Sequence, residues 1–252
     1  MTMDADLKKR IGITLIVFFV IAAIRVGFIL YERRDTGEPP KKQQTTYSSN
    51  MDDYVTPHKI FPYSLESAKK ELAGKAVWVK AGNQIAYYGF DAPEHSVNFK
   101  RQAGLLPPLA KLQIKDLVLQ RPPVTLKPGQ IAVVQKQIMV VFEKAGEPGS
   151  YAASIGVNTG DDFQFTVNDI LFLEDPHELY KHWPSDVWSA VDHHEAKQGM
   201  SELQTSFALG ANISSDGAEY GNRTIEFANA GKPVTVTFEK NKAVTVTPGK
   251  AQ

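Results

Sequence analysis

The 252-residue chain contains no cysteine. That excludes a disulfide framework, a thiolate nucleophile, Cys-based zinc or iron–sulfur sites and a lipidated cysteine. Net charge is missing too: 28 Lys and Arg balance 28 Asp and Glu. No long basic stripe runs along the chain, so nucleic acid is not an expected partner. No Gly-rich phosphate loop, no GxSxG elbow and no Ser/His/Asp arrangement with a local signature is found. No motif asks for a cofactor. A secreted eukaryotic protein of this size usually carries cysteines, so their absence favours a bacterial envelope protein.

A long unbroken hydrophobic run is also lacking. IGITLIVFFVIAAI stops after 14 residues at Arg25. Counted through Arg25 to residue 31, the stretch reaches 21 residues, about 31 Å of helix and enough for a bilayer core. Arg25 lies off centre, where its side chain can snorkel. The expectation is a single-pass inner-membrane protein, with an N-terminal tail at 1–10, a transmembrane helix at 11–31 and a flexible linker at 32–62. The linker is polar, contains proline and has no apolar period. A long C-terminal part after a short tail is expected in the periplasm. A cytoplasmic-facing regulatory membrane protein is the alternative, because basic residues flank the span on both sides.

Residues 63–175 read as β-rich. A capped helix at SLESAKKEL is followed by AVWV and QIAYY, which the short turn between them marks as a hairpin. IKDLVL, IAVV, QIMVVF, YAASIG and FQFTVNDILFL continue at intervals that suit a small barrel or sandwich, with an SH3-like barrel fitting the strand count and lengths. LLPPL and RPPV lack a PxxP pattern and read as loop and strand-end prolines.

HELYKH at 177–182 lies one inserted residue away from the zincin motif HExxH, and His193 and His194 follow it. On a helix, His177 and His182 diverge by about 140°, whereas ligands four apart diverge by about 40°. The insertion therefore removes shared metal coordination within one helix. A metal-dependent hydrolase using His177, His182, His193 and His194 is the rival reading and needs ligands assembled by tertiary folding. A second helix, from residue 185 to about 197, directs His194 towards the core and His193 outwards. Trp183 and Trp188, with His194, are expected to pack at a junction between two modules.

Ser201-Glu202-Leu203-Gln204 is a capping box, and the strands after Gly210 alternate apolar and polar residues, with Val244 and Val246 facing inwards. GMSELQTSFALG, followed by VTVTFEKNKAVTVT, resembles the BamE family (SmpA/OmlA) over about the last 65 residues. Gly199, Met200, Ser201, Gln204 and Gly210 fall on the family pattern. The resemblance implies a non-catalytic periplasmic ααβββ module that binds protein or aids envelope assembly. The expected fold class is thus α+β: a transmembrane helix, a β-rich middle and a C-terminal two-layer unit over 176–252. The expected function is non-catalytic binding or scaffolding, with the membrane and an unidentified envelope protein as partners.

Overall fold

The computed structural model describes residues 53–123, 135–144 and 146–249, together with Arg25. The chain divides into two compact units, residues 1–46 and 47–252. In the first, only Arg25 is described, helical and exposed. The expected span at 11–31 otherwise lies outside the described residues, as does the expected strand IAVV.

Among the described residues no helix is long and apolar enough to cross a membrane. The longest have eight residues, about 12 Å against the roughly 30 Å of a bilayer core. Among the described residues the single-pass expectation has no helix to rest on. The architecture is sheet-dominated, with two antiparallel sheets and few, short helices.

The N-terminal helix α1 (Leu65–Leu72) starts where Ser64 and Ser67 exchange side-chain to backbone bonds in a capping box, satisfying orphan amides of the first turn. Its Ala68 and Leu72 are buried against the larger sheet. That sheet contains β1 (Ala76–Val79), β2 (Ile85–Asp91), β3 (Ser96–Leu106), β4 (Lys111–Gln120), β5 (Lys136–Glu143), β6 (Ser150–Thr159), β7 (Asp162–Phe165) and β8 (Leu171–Phe172). The order is β3-β2-β6-β5-β4-β1-β8, with β7 alongside β6.

Among the described residues the path ends at β3 and β8, so an eight-stranded sheet stands in place of the expected small barrel. Nor do β1 and β2 form a hairpin: β1 pairs with β4 and β8, β2 with β3 and β6. The turn between them is held elsewhere, Val79 N donating to Ala110 O and Lys80 N to Ile170 O. FQFTVNDILFL, expected as one strand, is β7, a helical turn α2 (Val167–Ile170) and β8.

Ile138, Val140 and Phe142 of β5 face the same core as Leu112, Ile114 and Leu117 of β4. Period-two alternation would turn Leu117 away from Ile114. A bulge between Ile114 and Asp116 inserts Lys115 and resets the phase, which keeps both leucine and isoleucine inside.

After β8 come α3 (Pro176–Leu179), α4 (Ser185–Asp192) and α5 (Glu202–Leu209). The second sheet follows in the order β12-β11-β10-β9, from β9 (Asn212–Ser215), β10 (Thr224–Phe227), β11 (Val234–Glu239) and β12 (Lys242–Pro248). The expected three-stranded unit thus has a fourth strand, and α4 stops at Asp192. Ile225, Phe227, Val236 and Phe238 form the buried face. On β12 a register break beside Thr237 and Phe238 puts Ala243 in the core and leaves Val244 exposed. Val244 was expected inside; the bulge turns it out.

One aromatic core joins the layers. Neighbouring residues on β8 point to opposite faces, so Leu171 enters the core of the large sheet and Phe172 the aromatic core. Phe207 of α5, fully buried, meets Phe172 at 5.8 Å and Tyr180 and Trp183 at 5.1 Å between ring centroids.

Residues 53–60 cross this assembly as a strap. Asp53 accepts from Ser201 Oγ (3.0 Å) and Asn241 Nδ2 (3.3 Å), and Val55 packs on the aromatic core. His58 N donates to Glu174 (2.9 Å). Asn168 clamps the backbone of Ile60 at both its N–H (3.1 Å) and its carbonyl (2.6 Å). The expected linker therefore contributes residues 53–62 to the folded body.

Candidate functional site

The histidine segment is drawn apart by local contacts. Asp175 caps α3 and its Oδ1 lies 3.2 Å from His177 Nδ1, while His177 Nε2 lies 3.2 Å from Asp192 Oδ1 at the end of α4. The imidazole stacks on Trp188 at 4.1 Å, and Trp188 is itself fixed by its indole N–H to Tyr180 O (3.2 Å). His182 sits beside Tyr180 and Trp183. His193 Nδ1 meets Ser189 O at 2.6 Å.

His194 does not turn inwards. Its φ is +58° and it is exposed, its Nδ1 3.1 Å from Ala208 O, because the chain leaves α4 before reaching it. Trp183 is buried and Trp188 half-buried, both in the aromatic core with Phe207. Among the described residues no group of three or more His, Asp or Glu side chains could hold a metal ion.

The motif residues perform structural tasks. Gly199, at φ +87°, donates to Ala243 O (2.9 Å), and Ala243 N donates to Met200 O (2.8 Å). The chain before α5 is thereby laid along the outer edge of β12. Ser201 and Gln204 complete the capping box of α5. Gly210 ends α5 at φ +83° and ψ −140°, a region essentially reserved for glycine.

Asn241, which donates to Asp53, also accepts from Glu202 N, and Glu202 belongs to a polar knot that the sequence pattern did not reveal. Glu202, 2 % exposed, accepts from Gly221 N (2.8 Å) and pairs with Arg223. That bonding pushes the guanidinium of Arg223 further up, and burial followed by the charges of Glu202 and Asp53 pushes the Tyr220 phenol up. Every oxygen is matched to a donor, and the knot explains why a charged residue tolerates burial.

One surface feature that no packing requirement explains is a groove between the two sheets. A cleft of about 740 Å³ is bounded by Gln102 and Leu105 of β3, Ile213 of β9, and Ala228, Ala230 and Pro233 beside β10 and β11. It continues past Gln84, Pro107 and Ala230 into a second cleft of about 650 Å³. His193, His194, Glu195 and Lys232 line that second part. Among the described residues no charged side chain lines the first part. Leu105 and Ile213, 48 % and 41 % exposed, stand on its walls.

Ile213 is placed by a bulge: Glu226 pairs with Ser214 but Phe227 with Asn212, leaving Ile213 as the extra residue. Bulges commonly re-aim a side chain at a strand edge in this way. Comparison with family models, curated proteins and solved structures gives no match.

Proposed function

We propose that this chain is a non-catalytic binding or scaffolding protein and that the groove between its two sheets is the binding surface. The observation that carries the reading is the uncharged cleft with Leu105 and Ile213 exposed on facing walls. Exposed apolar side chains gathered in a concave surface mark sites of association. The two residues come from different sheets, so the site exists only in the folded body and suits a protein that holds a partner in fixed geometry. The resemblance of GMSELQTSFALG to BamE modules supports the same class, protein binding in the bacterial envelope.

The test is site-specific photo-crosslinking of the full chain in cells, with a benzoylphenylalanine at Leu105 and a control at Glu71 on α1. The expected outcome is an adduct with another polypeptide at Leu105, absent at Glu71 and lost when Ile213→Asp is added. Equal labelling at both sites, or labelling indifferent to Ile213→Asp, would overturn the proposal.

A further inference from the structure

We infer that this chain has a second binding site, beside Gly89 of the large sheet, and that it takes a neutral sugar ring, one unit of a glycan chain. The site stands apart from the groove between the sheets, so neither reading depends on the other.

Glycine inside a strand weakens it, because it loses more backbone entropy on folding and has no side chain to pack. Three glycines lie inside the described strands of the large sheet: Gly89, Gly104 and Gly156. Packing accounts for two of them. A Cβ on Gly104 would stand 2.9 Å from the Tyr87 ring and its hydroxyl, and one on Gly156 would run into the backbone of Gln164. Gly89 is different. Its φ lies outside the left-handed region, and a Cβ there meets no described atom within 4 Å. Neither conformation nor packing among the described residues asks for glycine at that position. A strand glycine of this kind marks a place where a ligand or another backbone comes close.

The surroundings make that place a cleft. The register of β2 against β3 jumps here. Gly89 alone stands between Tyr88 and Phe90, whereas Asn98, Phe99, Lys100 and Arg101 stand between their partners Val97 and Gln102. Strand β3 carries that surplus as a wide bulge, a device common beside functional sites. The bulge, Gly89 and the start of β6 at Ser150 and Tyr151 line a cleft of about 780 Å³.

The walls specify the ligand. Phe90, Phe99 and Tyr151, all half-buried, bring ring surface to the cleft. Asp91, Glu94, Lys100 and Arg121 bring two carboxylates and two cations. None of these four is in an ion pair among the described residues. Their charges cancel, so the cleft has no preference for an anion or a cation. Their hydrogen-bonding roles do not cancel, because carboxylates only accept while ammonium and guanidinium groups only donate. A ligand that meets both must itself donate and accept, as a hydroxyl does. A sugar ring carries hydroxyls around its edge and C–H groups on its faces. The edge suits the charged side chains, and the faces suit the aromatic rings.

The experiment uses the full chain and saturation-transfer NMR, with the tetramer of N-acetylglucosamine as the neutral probe. The tetramers of glucosamine and of galacturonic acid are its cationic and anionic counterparts, and an alanine–serine tetrapeptide represents a polypeptide ligand. The neutral sugar should bind in preference to the other three. Gly89→Val should weaken that binding about tenfold or more, because the branched side chain takes up the ligand's space. The same variant should leave the melting temperature unchanged or raised, since valine suits a strand and restricts the unfolded chain. Gly104→Ala is the contrast and should lower the melting temperature, because Tyr87 occupies the space a Cβ would need. A melting temperature lowered by Gly89→Val as well would show that the chain itself uses the space, and would overturn the proposal. Undiminished binding by that variant would do the same, as would a preference for a charged tetramer or for the peptide, or no binding of any probe. Selective crosslinking at Leu105 is indifferent to all of these outcomes, so the groove reading stands or falls separately.

Discussion

Replacing Phe207 by alanine tests whether the two sheets stand or fall together. The ring is fully buried and lies between Phe172 of the large sheet and Tyr180, Trp183 and Trp188 of the helical layer. Burying a phenylalanine side chain is worth about 1.5–3 kcal/mol. The space left behind and the lost edge-to-face contacts bring a buried Phe→Ala change to about 3–5 kcal/mol. Four ring neighbours place Phe207 at the upper end, about 4–5 kcal/mol, a large share of the 5–15 kcal/mol that typically stabilises a folded protein. Phe207→Leu keeps most of the volume and should cost about 1–2 kcal/mol.

The assay is urea unfolding followed in parallel by tryptophan fluorescence, reporting on Trp78, Trp183 and Trp188, all packed on the aromatic core, and by far-ultraviolet circular dichroism, reporting on both sheets. The two probes should shift together. A loss below about 1.5 kcal/mol, or an early fluorescence transition with the dichroism unchanged, would refute the argument that this ring couples the layers.

Glu202→Ala should destabilise the body by about 3 kcal/mol, the lower end of the range for removing one partner of a buried ion pair, because Arg223 is 23 % exposed and can turn to solvent. Denaturant titration of the single and paired variants with Arg223→Ala checks it. Gly210→Ala should cost about 1–3 kcal/mol, since its backbone is at φ +83° and a Cβ there would stand 3.3 Å from the Pro108 ring; thermal unfolding measures the loss. The phenol of Tyr180 is pushed up to about 12, first by burial and then by the charge of Asp53. A raised folded value means the contribution is complete below the ordinary tyrosine range and disappears as the pH climbs from about 10 through about 12. Ultraviolet titration should show two late-ionising tyrosines, Tyr180 and Tyr220, that revert to ordinary behaviour in urea.

Local signals were readable where they depend on neighbours in sequence. Ser64 and Ser201 mark helix starts, and both form capping boxes. The spacing in HELYKH implied diverging histidines, and α3 is too short to contain both. The failures arise where distant segments decide. Residues 32–62 lack apolar period, yet Asp53, Val55 and Ile60 are fixed by partners more than a hundred residues away. AVWV beside QIAYY suggests a hairpin, but β1 finds better partners in β4 and β8. The groove was illegible for the same reason. Leu105 belonged to a stretch read as loop, nothing drew notice to Ile213, and only folding sets them on facing walls.

The strap gives the body a defined load path. Among the described anchors, tension on the chain ahead of Asp53 falls first on those of Asp53, which include its bonds to Ser201 and Asn241. It then passes to Val55 in the aromatic core, and then to the contacts at His58 and Ile60. These anchors lie in series, so they would open one after another rather than share the force. The first to yield frees Ser201 and Asn241 of the C-terminal layer while the contacts at His58 and Ile60 are still made. Whatever pulls on the N-terminal part of this protein therefore meets the C-terminal sheet before it meets the strand that follows in sequence.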